Sequence, residues 1–194
     1  MFHINNNKLN GTIPSGYGNF LKLVELALDT NSLTGSIPSE LGQLTRLASI
    51  VLAANRLKGH LPTTLGNMKS LQYMNFIQNS ISGPIPRELF NATQLQFILL
   101  YVNKLTGTIP DLFGNMLFLK GLVIDLNSIE GNVPPSLCQA PNLVLVNMSN
   151  NLLEGGLHLA NCDNLVYFYL NNNRLSEFQA YGLNNLRYLD ISHN

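Results

Sequence analysis

The apolar residues of this chain recur in phase with one asparagine. It stands at Asn7, Asn31, Asn55, Asn79, Asn103, Asn127 and Asn151, each 24 residues after the last, and then at Asn173 and Asn194 after intervals of 22 and 21. Five residues before it come Phe2, Leu26, Ile50, Met74, Ile98, Leu122, Val146, Phe168 and Leu189. Three before it come Ile4, Leu28, Leu52, Phe76, Leu100, Ile124, Met148, Leu170 and Ile191. Leucine fills the position eight before it from Leu23 to Leu186, and leucine or isoleucine the position two after it from Leu9 to Leu175. Residues two apart share one face of a strand, so each repeat predicts a short strand with an apolar inner face. One repeat cannot bury that face alone, whereas stacked repeats bury it continuously with their strands side by side. The asparagine falls where the chain turns out of the strand. Its amide both donates and accepts, so a stack of such side chains can satisfy backbone groups that the turns leave unpaired.

A second signature follows. Gly11-Thr12-Ile13-Pro14, Gly35-Ser36-Ile37-Pro38, Gly59-His60-Leu61-Pro62, Gly83-Pro84-Ile85-Pro86, Gly107-Thr108-Ile109-Pro110 and Gly131-Asn132-Val133-Pro134 share one phase. Glycine admits a turn with φ > 0, and proline keeps the next segment out of a central ladder. Leu41-Gly42, Leu65-Gly66 and Phe113-Gly114 come after it. Past Asn151 the chain reads LLEGGLHLANCDNL, with His158 in the proline slot, and RLSEFQAYGLNNL has no such block.

Stretches such as LVELALDTNSLTGSIPSELGQL and LQFILLYVNKLTGTIPDLFGNM resemble the plant-specific class of leucine-rich repeat. The resemblance implies an α/β solenoid: a right-handed superhelix of 24-residue repeats with a parallel concave β-sheet and a 3-10 or loop convex side. It makes residues 1–194 one leucine-rich-repeat domain fragment of about eight to nine repeats, regular over 1–151, shorter and irregular over 152–194. It also implies the extracellular face of the plasma membrane, in a receptor-like kinase, a receptor-like protein, or a secreted inhibitor of wall-degrading enzymes. Repeat arrays need polar terminal caps, and both ends here lie inside strands without a capping cysteine pair, hence the expectation of a piece.

Composition narrows the partners. Lys plus Arg number 11 and so do Asp plus Glu, for zero net charge, and only 11% of residues are charged. Nucleic acid and anionic membrane both call for a basic surface, so neither is expected, and no apolar run is long enough to span a bilayer. His3, His60, His158 and His193 are scattered over different repeats, and the nucleotide, zinc-protease and serine-hydrolase motifs are missing. Cys138, His158, Cys162 and Asp163 fit no common zinc spacing. The expectation is a binding module, with no enzyme activity, cofactor or metal; a kinase domain would lie elsewhere in the parent protein.

The site should lie in the outward columns of the strands. Tyr73, Phe97, Leu99, Tyr101, Val123, Leu145, Tyr167 and Tyr169 form a connected apolar surface there. Such patches mark interaction sites, although aromatic and β-branched residues also suit strands for their own sake. These columns carry almost no Arg, so the two-arginine clamp with which some peptide receptors hold a carboxylate is not visible, and apolar peptides or a co-receptor ectodomain fit better than anionic ones. A structural spacer is the remaining alternative. Asn91, Asn10 and Asn147 head glycosylation sequons, Asn91 being the best placed on the outer side. Cys138 and Cys162 both lie eleven after their asparagine, within disulfide reach. Counted back from the next strand they fall in different slots, which favours two buried thiols.

Overall fold

The computed structural model describes residues 1–194. Each repeat opens with a strand of two or three residues: Phe2–His3, Glu25–Ala27, Ser49–Val51, Tyr73–Asn75, Phe97–Leu99, Gly121–Val123, Leu145–Asn147, Tyr167–Tyr169 and Tyr188–Asp190. They form one nine-stranded parallel sheet in sequence order. The register follows the repeat: Met74 pairs with Ile98, Leu122 with Val146, Val146 with Phe168, and Phe168 with Leu189. Side chains five and three before each asparagine point inward, and Leu26, Leu28, Ile50, Leu52, Met74 and Phe76 are at most 1% exposed. One continuous core runs through the stack.

The strand ends in a turn that the sequence does not announce. The residue before the asparagine has φ between 51° and 57° in every repeat: Asn6, Thr30, Ala54, Gln78, Val102, Leu126, Asn150, Asn172 and His193. Left-handed backbone is unfavourable for most L-residues, and β-branched Val102 and Thr30 are unusual there. The asparagine holds the turn. Asn103 donates from Nδ2 to the carbonyls of Phe76 (3.0 Å) and Leu100 (3.0 Å), and its Oδ1 accepts the Ile81 N–H at 3.0 Å. Asn31, Asn55, Asn79, Asn127, Asn151, Asn173 and Asn194 repeat this pattern, each accepting from an N–H of the preceding repeat. Asn7 makes only the local half, to Ile4 O and Asn5 O.

The convex side is built of 3-10 turns rather than α-helices. They span Ser15–Asn19, Ser39–Gln43, Thr63–Asn67, Arg87–Asn91, Phe113–Asn115 and Pro135–Gln139, and the proline of the Gly-x-apolar-Pro block caps all but the fifth. Neighbouring turns approach closely. A Cβ on Gly66 would stand 2.0 Å from the Glu88 carbonyl oxygen, so this slot excludes a side chain. Phe90 occupies the same slot one repeat later; it is 2% exposed and packs edge-on against Phe113 with ring centroids 5.1 Å apart. Bulk where glycine is usual separates the two turns, and the next one, at Phe113–Asn115, is shorter.

Beyond Asn151 the 3-10 turn gives way to extended chain. Leu152–Ala160 pairs in parallel with Arg174–Tyr181, with a bulge between Gly155 and Gly156. This change corrects the cysteine expectation. Cys138 and Cys162 are disulfide-bonded, their Cα atoms 4.6 Å apart. The repeat after Asn151 sheds its two residues after Cys162, not before it. The count forward from the asparagine therefore governs, and the count back from the next strand misleads.

Candidate binding surface

Strand residues at odd offsets from the core point to the concave side. Tyr73, Phe97, Leu99, Tyr101, Val123, Leu145, Tyr167 and Tyr169 are all half-buried on this sheet. Tyr73 pairs in register with Phe97, and Phe97 with Gly121. Their rings meet edge-on at 6.0 Å. Phe97 also lies over Gly121, where a Cβ would come within 2.8 Å of its ring. The glycine thus makes room for the ring to lie across the next strand. Leu145 and Tyr167 continue the row, and Leu99 and Val123 flank it. Asn147 interrupts the second row before Tyr169.

Two residues extend the surface beyond the aromatic and aliphatic set. Tyr188, one strand past Tyr167, stacks on it with ring centroids 5.0 Å apart and an interplanar angle of 9°, and is 54% exposed. The column pattern held the signal, since Tyr188 follows Tyr167 in the same slot. Asp125 is the lateral neighbour of Tyr101 in the column two before the asparagine. Its Oδ1 is buried, and no donor among the described residues reaches it. Burial pushes its carboxyl above the usual range, opposed in part by a hydrogen bond with its own backbone. Periodicity could not flag Asp125, because this column tolerates any residue type.

The concave charges have one sign. Glu25, Asp29, Asp125 and Asp190 are acidic, and no Lys or Arg occupies the three outward columns. His3 contacts Glu25 at 3.1 Å. The hydroxyl and N–H of Ser192 hold the Asp190 carboxyl below the usual range. Lys120 lies on the rim, its Nζ on Gln96 Oε1 at 3.0 Å.

The sequons separate in space. Asn10 and Asn91 are exposed, Asn91 at the end of a convex 3-10 turn. Asn147 is half-buried on the concave sheet and accepts both the N–H and the hydroxyl of Ser149, at 3.1 and 2.7 Å. The disulfide withdraws both thiols from the Cys138, His158, Cys162 and Asp163 set. Among the described residues no helix is long and apolar enough to cross a membrane.

The family profile described as Leucine Rich Repeat matches residues 22–44 and 94–116. No curated protein sequence is matched by the chain. Among solved structures, a TDR receptor is 31% identical over 100% of this chain and 34% of its own, with a TM-score of 0.94. The Arabidopsis receptor kinase HAESA, solved with the peptide hormone IDA and the co-receptor SERK1, is 32% identical over 98% of this chain and 33% of its own, with a TM-score of 0.91. A plant ice-binding protein is 26% identical over 98% of this chain and 71% of its own, with a TM-score of 0.79. This chain therefore spans about a third of the length of either receptor. Its phased repeats, asparagine ladder and 3-10 convex side make the chain a leucine-rich-repeat solenoid, similar in sequence and shape to these plant receptor ectodomains.

Proposed function

We propose that this chain is a ligand-recognition segment of a plant receptor ectodomain, which binds an extended peptide or a partner ectodomain along its concave sheet. The same solenoid serves an ice-binding protein, so function resides in the exposed face and not in the fold. The observation that carries it is the half-exposed row from Tyr73 through Phe97 and Leu145 to Tyr167 and Tyr188. The solenoid buries its own core behind the sheet and needs no apolar residue in front of it. A connected aromatic surface there is the kind that protein interfaces use.

Two further observations support the reading. HAESA, so similar in sequence and shape, is a receptor solved with a peptide hormone and a co-receptor. The Cys138–Cys162 bridge suits an oxidising compartment, as an ectodomain at the apoplastic face of the plasma membrane requires. Glycans at Asn91 and Asn10 would leave the concave face clear, whereas one at Asn147 would block it. In this reading the segment recognises and does not catalyse; signal output belongs to parts of a longer parent protein.

The test is selection from a randomised peptide display library on the 194-residue chain, in parallel with a Phe97→Ala/Tyr101→Ala double variant. Selected peptides should bind the parent chain and lose affinity for the variant by tenfold or more, about the effect of removing central aromatic anchors. Thermal unfolding of the variant should stay close to that of the parent. Equal binding to both proteins would make the row a feature of sheet packing alone.

A further inference from the structure

Asp125 is out of place among its neighbours. It lies beside Tyr101 in a column whose other lateral neighbour, Ser149, is 5% exposed and has its hydroxyl committed to Asn147. Apolar Val123 and Leu99 occupy the adjacent column. A buried carboxylate oxygen is nearly always hydrogen-bonded, and one without a partner calls for an explanation. Here no other residue supplies Oδ1 with a partner: the salt bridges among the described residues, His3–Glu25 and His158–Glu177, lie elsewhere.

The second observation is charge. All the formal charges of the three outward columns are acidic; Asp125 and Asp190 both lie beside aromatic residues, but Asp190 is held by the hydroxyl and N–H of Ser192, which leaves Asp125 as the one with an unpartnered oxygen. A ligand that presses an apolar stretch onto this row would seal Asp125 further from water. That is unfavourable unless the ligand brings a donor to the carboxylate, and most favourable when the donor carries positive charge. Tyr101, next in the column, adds a ring beside which a cation is stabilised.

Building on the proposed concave recognition, we propose that Asp125 is a specificity-determining anchor for a lysine or arginine side chain within an otherwise apolar peptide ligand. The aromatic row supplies contact area; the carboxylate sets register by accepting one charged donor. A peptide with an acidic residue at that register would face repulsion from Asp125 with no cationic group of the concave columns to relieve it.

The experiment uses peptides selected from the randomised library on the 194-residue chain. Their sequences should carry Lys or Arg among apolar and aromatic residues. For one such peptide, replacing Arg with citrulline or Lys with norleucine should weaken binding about tenfold or more, typical of losing a charge-assisted hydrogen bond. Asp125→Asn should weaken the parent peptide to a similar degree, and the two changes together should add little beyond either alone. Asp29→Asn, outside the aromatic row, should leave affinity unchanged. Asp125→Asn removes an uncompensated charge and is expected to fold; Asp125→Ser provides a second neutral variant read in the same way.

The outcomes separate two failures. Peptides that bind through Phe97 and Tyr101 but lack a cation, or that bind the Asp125 variants as well as the parent, overturn this inference and leave concave recognition standing. Failure to select any peptide dependent on Phe97 and Tyr101 overturns concave peptide recognition, and the cation anchor falls with it.

Discussion

Replacing Asn79 with alanine removes four hydrogen bonds, yet only one partner is left without a substitute. Its Nδ2 donates to the carbonyls of Leu52 (3.0 Å), Phe76 (3.2 Å) and Ile77 (3.2 Å). Each of these keeps another donor: Asn55 for Leu52, Asn103 for Phe76, and the Ala54 N–H for Ile77. The Leu57 N–H, 3.0 Å from Asn79 Oδ1, keeps none, and Leu57 is fully buried. An orphaned buried N–H costs about 1–3 kcal/mol, and the lost donor bonds add a modest amount, so the total is about 2–4 kcal/mol. For a chain of this size that lowers Tm by roughly 5–15 °C. Two further variants sharpen the measurement. Asn79→Asp preserves the acceptor for Leu57 but turns a carboxylate toward three carbonyl oxygens, so near neutral pH it should melt below Asn79→Ala and recover as acid protonates it. Asn7→Ala should be mild, because Asn7 is exposed and accepts nothing. Differential scanning calorimetry reads all three. Equal losses at Asn7 and Asn79 would refute the assignment of the cost to the Leu57 N–H, and an Asn79→Asp protein as stable as the parent would contradict the repulsion between carboxylate and carbonyls.

Asp125→Asn should raise Tm at neutral pH. Its carboxyl is held above the ordinary range by burial, so the folded chain binds that proton more readily than the unfolded chain. The stability associated with the group is present below the unfolded pKa and lost as pH rises through the folded one, so the advantage of Asn should shrink toward zero in acid; a lower Tm for the variant at neutral pH would contradict this. Reduction of the Cys138–Cys162 bridge, or Cys138→Ala/Cys162→Ala, frees a loop with a sequence separation of 24 and should destabilise the chain by about 3 kcal/mol. Chemical denaturation with and without reductant checks it, and the loss should show first as proteolysis within 138–162 rather than near the first repeats.

Much of the architecture is written in the chain because a solenoid is local. Each strand finds its partner one repeat away, so the phase of the ladder asparagine is enough to place Leu26, Leu28 and their equivalents in the core and Tyr73 and Phe97 outside it. The Gly-x-apolar-Pro blocks likewise announce a turn and a non-strand segment in each regular repeat. No long-range topology has to be solved, and spacing alone carries the answer.

The remainder depended on contacts that spacing does not encode. In five of the nine repeats the left-handed residue before the asparagine is Thr30, Ala54, Gln78, Val102 or Leu126, types that give no hint of positive φ; the hydrogen bonds of the asparagine and the stacking of repeats impose it. The bridge between Cys138 and Cys162 rested on which of two counts the shortened repeat obeys, and only the extended path of Leu152–Ala160 decides that. The buried, unpartnered oxygen of Asp125 is a property of its surroundings: Val123 and Tyr101 nearby, and the Ser149 hydroxyl donated to Asn147 instead. The sequence by itself determined the repeat, the core and the outward face of the sheet. The tertiary structure decided how strained the turns are, how the cysteines pair, and where an uncompensated charge lies on that face, because each depends on how neighbouring repeats meet and not on how far apart they are in the chain.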